Sequence, residues 1–146
     1  MKYSSTKIIE LGSCAFRQWK AYGTHCKYVH GYRLMAKFWF EADELDCRNW
    51  VVNFGGLKEL KKVLHDQFDH TLCIASDDPL LLMFEELHEE GGCDLRVMDG
   101  VGIEKTAEWC YKAAELFLDS NDETRGRCRV TRVEVWEHEQ NSAIYE

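Results

Sequence analysis

The sequence predicts an α+β domain built on a mostly antiparallel sheet. Residues 32–42 and 129–137 alternate apolar and polar side chains, the period of strands with one buried face. Residues 55–68 and 106–119 carry apolar residues at helical spacing. The order of elements is strands, helix, helix, strand, helix, strand, which suits an α+β layer better than a regular β-α-β alternation.

Each element rests on its own pattern. Residues 6–19 read as extended, with Gly12 and Ser13 interrupting the alternation. In 32–42, Tyr32, Leu34, Ala36, Phe38 and Phe40 share one face, and Arg33, Lys37 and Glu41 the other. Asp43 to Arg48 reads as a loop. Leu57, Leu60, Leu64 and Phe68 form the stripe of the helix at 55–68. A second helix is predicted at 79–89, with Leu80, Met83, Phe84 and Leu87 inward and Glu85, Glu86, Glu89 and Glu90 in solvent. A short strand at 94–98 follows the Gly91-Gly92 break. In the helix at 106–119, Thr106 is the expected N-cap, with Glu108 in the first turn. In the last strand, Thr131, Val133, Val135 and Glu137 are expected on one face.

Composition narrows the function. The chain has 146 residues, the size of one ordinary domain, and its single proline marks no linker. Its 45% hydrophobic content is enough for a real core. The net charge of −8 argues against general nucleic-acid binding and against an anionic membrane surface. No apolar run is long enough for a spanning helix, and MKYSSTKIIE lacks the apolar stretch of a signal peptide, so a cytoplasmic location is expected. The seven cysteines are odd in number and include no CxxC pair. A disulfide framework or zinc knuckle is therefore not expected, and most of these thiols read as small core residues.

Reactive residue types concentrate in His25-Cys26-Lys27-Tyr28-Val29-His30-Gly31-Tyr32, with Asp69-His70 and Glu137 as further candidates. An imidazole helps a thiol become a nucleophile or base, and an aspartate orients that imidazole. Arg17, Lys20, Lys27 and Arg33 surround the same segment and offer cations for an anionic substrate, with a solvated surface as the plainer alternative.

The ordered segments CKYVHGY (26–32), VNF (52–54), FDH (68–70), TAE (106–108) and WEH (136–138) resemble the 6-pyruvoyl-tetrahydropterin synthase family, which includes the 6-carboxytetrahydropterin synthases of deazapurine biosynthesis. The resemblance covers roughly residues 8–74 and 104–146, and the chain is identified as a divergent member. It implies a tunnelling fold (T-fold), an antiparallel four-stranded sheet with helices on one face. An insertion at about 75–103 would add one helix and a short strand within a single domain spanning 1–146. It further implies a homo-oligomer, trimer or hexamer, with its site between subunits. The strand at 32–42 would have its edges covered by barrel closure.

The implied activity is a carbon–oxygen lyase acting on 7,8-dihydroneopterin triphosphate or a related pterin. Cys26, Asp69 and His70 would be its proton-transfer groups. Glu137 would anchor the pterin ring, with Thr106 and Glu108 at the pocket. The family's zinc uses three histidines. Here the corresponding places hold Phe16, His30 and Tyr32, so His30 is the one retained metal ligand. Asn53 replaces a further family acid. The alternative is a zinc-less homologue that binds a pterin or purine without the lyase reaction, or runs a changed, metal-free one.

Overall fold

The computed structural model describes all 146 residues. A single six-stranded sheet organises the chain. Strands β1 (Tyr3–Phe16), β2 (His30–Ala42), β3 (Thr71–Ala75), β4 (Leu95–Met98), β5 (Cys128–His138) and β6 (Asn141–Tyr145) lie in the order β4-β3-β1-β2-β5-β6. The helices are α1 (Lys58–Phe68), α2 (Leu81–Glu89) and α3 (Ile103–Ser120). The expected four-stranded antiparallel sheet is therefore extended. β3 and β4 add a parallel wing beside β1, while β1-β2-β5-β6 is antiparallel throughout.

Two β-bulges set which residues face the helices. In β1, Glu10 pairs with Met35 but Gly12 pairs with Leu34, leaving Leu11 as the extra residue. The inward set thus changes from Ile9 and Leu11 to Cys14 and Phe16, all buried. In β5, Trp39 pairs with Arg132 and Phe40 with Val130, so Thr131 is the extra residue. Val130, not Thr131, joins Val133 and Val135 in the core. Further along β5, Trp136 pairs with Ser142 and His138 with Asn141, so Glu137 is the extra residue of a further irregularity.

The core lies between the sheet and helices α1 and α3. Leu34, Ala36, Phe38 and Phe40 of β2 meet Leu60, Leu64 and Phe68 of α1 and Ala107, Cys110, Ala114 and Leu118 of α3, all buried. Burying side chains of this size contributes about 1.5–3 kcal/mol each. Cys14, Cys73, Cys110 and Cys128 are in this interior, as expected of small hydrophobes.

Four expectations need correction. The first strand ends at Phe16, because residues 17–29 turn back toward β2. β2 is covered on both sides by β1 and β5 within the chain, so it is not an edge that oligomerisation must protect. Helix α2 has no buried residue, and Leu80, Met83 and Leu87 are exposed. Helix α3 opens four residues earlier than expected, with Gly102 as its N-cap rather than Thr106. Thr106 is buried and donates its hydroxyl hydrogen to the Gly102 carbonyl at 2.9 Å.

Candidate functional site

Antiparallel pairing brings the ends of β1 and β2 together. Phe16 is directly opposite His30, and Cys14 opposite Tyr32. The rings of Phe16 and His30 are 5.1 Å apart, those of His30 and Tyr32 5.3 Å, and those of Phe16 and Tyr32 6.1 Å. The His138 ring lies 6.5 Å from Tyr32. His30 Nδ1 is 2.7 Å from the Tyr28 carbonyl oxygen. A carbonyl can only accept, so Nδ1 carries the proton and Nε2 holds the free lone pair.

Cys26 lies in a single turn at His25–Lys27 that closes over this end. The Thr24 hydroxyl accepts the Cys26 N–H at 3.2 Å, and the Cys26 carbonyl accepts the Gln18 N–H at 2.9 Å. The Tyr32 phenol is held above its ordinary value by partial burial first, then by the charges of Glu137 and Cys26. These three side chains are therefore electrostatic neighbours. Glu137 accepts from the Asn141 amide at 2.9 Å, and its side chain is only 19% exposed. An open groove of about 600 Å³, lined in part by Arg33, Met35, Trp136 and Glu137, reaches it from outside.

Asp69 and His70 form a second constellation at the start of β3. Asp69 Oδ1 accepts the Ser13 N–H at 3.1 Å and lies 2.9 Å from His70 Nδ1. His70 has φ +59°, a left-handed conformation uncommon outside glycine, and its N–H donates to the Ser13 carbonyl at 2.6 Å. The His70 ring is 84% exposed. The Asp69 carboxyl is held below its usual range, first by the Ser13 N–H and then, against some desolvation, by His70. No hydrogen bond joins this pair to Cys26 within one chain.

The family model for 6-pyruvoyl tetrahydropterin synthase matches residues 10–146. The chain belongs to this family. A 6-carboxy-5,6,7,8-tetrahydropterin synthase of Rickettsia conorii is 35% identical over 54 residues, covering 36% of this chain and 39% of that protein. The matched stretch thus spans about two-fifths of the curated relative. An uncharacterized protein of Wolinella succinogenes superposes with a TM-score of 0.79 at 18% identity, covering 99% of this chain and 98% of that one. The 6-pyruvoyl tetrahydropterin synthase of Caenorhabditis elegans superposes at 0.67 with 16% identity, covering 100% and 96%. These likenesses establish the T-fold.

The resemblance implies zinc ligands at the places of Phe16, His30 and Tyr32. Their three rings pack together at the end of the sheet. The donor set does not fit the metal: Phe16 has no lone pair, Tyr32 offers a phenol and His30 one free nitrogen. Three protein ligands are the usual minimum for catalytic zinc. No other group of three His, Cys, Asp or Glu side chains is arranged to hold a metal.

The T-A-E segment also departs from the family register. The resemblance places it at a helix opening, but α3 opens with Gly102-Ile103-Glu104. Glu108 lies one turn further on and is bound by Lys112 at 2.9 Å and Lys105 at 3.0 Å, which hold its carboxyl low. Glu104, in the first turn of α3, is exposed. Of the four candidate cations, three are already paired. Arg17 grips Asp78, Lys20 lies 3.0 Å from Asp77, and Arg33 Nε lies 2.6 Å from Glu10. Lys27 lies over the Tyr28 ring, 5.2 Å from its centre.

Proposed function

We propose that this chain is a pterin-processing lyase acting on 7,8-dihydroneopterin triphosphate or a closely related pterin. The observation that carries the reading is the shielded Glu137 carboxylate, 3.9 Å from His138 Nε2, with the His138 ring 6.5 Å from that of Tyr32 at one end of the sheet. A carboxylate as shielded as that of Glu137 is costly unless it binds something. Glu137 suits the adjacent N–H donors of a pterin ring, which a carboxylate accepts in pairs. In this reading Cys26 takes and returns a proton at the side-chain carbon beside the ring while triphosphate departs.

Asp69 and His70 complete the proton path in this reading from a neighbouring copy, because one chain does not join them to Cys26. Strand β1 supports such an assembly. From Tyr3 to Ser13 it pairs with β2 on one side and with no strand on the other. An open strand edge of this length favours pairing with another chain. A trimer or hexamer with intersubunit sites is the assembly that this proposal requires. No helix is long and apolar enough to cross a membrane.

A second reading is a pterin- or purine-binding protein without the lyase step, and Phe16 at a ligand place favours it. The test is incubation with 7,8-dihydroneopterin triphosphate, with and without added zinc, followed by mass spectrometry. The lyase reading expects triphosphate release that is lost in Cys26→Ala. Undiminished release from that variant overturns the role of Cys26. Pterin binding without any release establishes the second reading instead.

A further inference from the structure

We infer that the family's metal place has become a metal-free aromatic cluster in this chain, and that the Tyr32 hydroxyl meets the polar side chain of the ligand there. The second half of this inference rests on the pterin reading; the first half stands without it.

Geometry separates replacement from simple loss. The three ring centres lie 5.1 to 6.1 Å apart, so the side chains pack against one another as an aromatic cluster. What they present has changed. Phe16 is buried to 3% exposure and packs on His30 where a donor would be needed. His30 is oriented by the Tyr28 carbonyl, which leaves Nε2 as its one uncommitted nitrogen. The neighbouring imidazole of His138 is not a free substitute. Its Nδ1 accepts the Gln140 N–H at 3.1 Å, and its Nε2 lies 3.1 Å from Asn141 Nδ2. A rearranged set using Cys26 or Glu137 would also need three convergent donors, and none is assembled.

The remaining polar groups define what this end of the sheet accepts. Tyr32 has a hydroxyl that both donates and accepts, His30 Nε2 accepts, and Glu137 lies 3.9 Å from His138 Nε2, whose ring is 6.5 Å from that of Tyr32. That set matches a hydroxylated side chain attached to a ring held by Glu137. Hydrogen bonds then position the side chain where relatives would use a Lewis acid.

Two measurements test this. Native protein is titrated with zinc against a chromogenic chelator, alongside His30→Ala and the Phe16→His/Tyr32→His double variant. The native chain is expected to take up no stoichiometric zinc. The double variant, which supplies three imidazoles with His30, is expected to bind one zinc at least 100-fold more tightly than the native chain. One zinc per native chain, lost in His30→Ala, overturns the metal-free assignment, and the native titration decides this even if the double variant does not fold. For Tyr32, binding of neopterin and of unsubstituted pterin is followed by fluorescence in Tyr32→Phe. Neopterin affinity is expected to fall about 10-fold, with unsubstituted pterin unchanged; the ratio of 10 is one hydrogen bond of about 1.4 kcal/mol. Equal effects on both ligands, or no effect on either, overturn the Tyr32 assignment. Failure of the native chain to bind either pterin overturns it together with the pterin reading, leaving the zinc result intact.

Discussion

Gly12 and Asp69 share one volume: a Cβ added to Gly12 would stand 2.1 Å from Asp69 Oδ1. Gly12 also has φ +101°, which an L side chain rarely adopts. The β1 bulge, the Asp69 carboxylate and the Ser13 hydrogen bonds are thus one arrangement. It fixes where His70 projects.

Gly12→Ala is therefore expected to destabilise the fold by about 1–3 kcal/mol through backbone strain, and to expel Asp69 from Ser13. Urea denaturation with far-UV circular dichroism measures this. A midpoint matching the native protein would mean that the bulge relaxes at no cost, and that Asp69 is not confined by Gly12.

Asp69 also gives a pH signature. Its folded-state carboxyl titrates below the ordinary aspartate value of 3.8, chiefly because the Ser13 N–H stabilises the anion. A depressed carboxyl contributes stability above its unfolded pKa and loses it as pH falls through the folded value. The stability advantage of native protein over Asp69→Asn is expected to be full at pH 6 and to shrink below about pH 4. Paired denaturation curves at pH 6 and pH 3 decide it; a constant difference would place the effect of Asp69 in hydrogen bonding alone.

Much of this arrangement was legible in the letters. The stripe of Leu57, Leu60, Leu64 and Phe68 and the alternation of 32–42 read correctly, because one buried face imposes a simple period. The bulges at Leu11 and Thr131 did not, since one extra residue inverts parity and no letter marks it. β3 was unreadable for another reason. All five residues from Thr71 to Ala75 are buried, so no alternation exists to see. Helix α2 misled because leucine and methionine at helical spacing look like a core face even when they are exposed. At the site, motif order singled out Cys26, His30 and Glu137, while the start of α3 at Ile103 was not legible because Thr106 has the chemistry of a cap wherever it sits.

Arg17 and Asp78 pin the β3–α2 connection beside the site. Arg17 Nε donates to Asp78 Oδ2 at 2.7 Å, Nη2 also contacts the carboxylate, and the Asp78 side chain has no exposed surface. Asp78 further accepts the Leu80 N–H at 2.8 Å. Burial works against its ionisation, yet Arg17 and that N–H keep it low. Asp78→Ala leaves a guanidinium without its partner and is expected to cost about 3–5 kcal/mol. The Arg17→Met/Asp78→Leu pair should lose less than the single change, because no unpaired charge remains. A thermal-melt cycle over Arg17→Met, Asp78→Leu and their double variant reads the coupling, and strict additivity would show the ion pair to be inert.

Glu137 makes the sharpest claim on ligand recognition. Its Oε1 is already held by Asn141, which leaves the second oxygen to receive a ring N–H. Glu137→Gln keeps the shape and one acceptor but removes the charge and turns the facing oxygen into an amide donor. A charge-assisted hydrogen bond contributes about 1.5–3 kcal/mol, so pterin affinity is expected to fall roughly 10- to 100-fold. Fold stability should change little, because the native side chain meets one internal partner that the amide oxygen can still satisfy. Asn141→Ala releases the carboxylate without removing it and should weaken binding less than Glu137→Gln. Isothermal titration of both variants with neopterin gives the comparison. A Glu137→Gln affinity equal to the native value would remove the carboxylate from ring recognition and leave its shielding without a ligand to explain it.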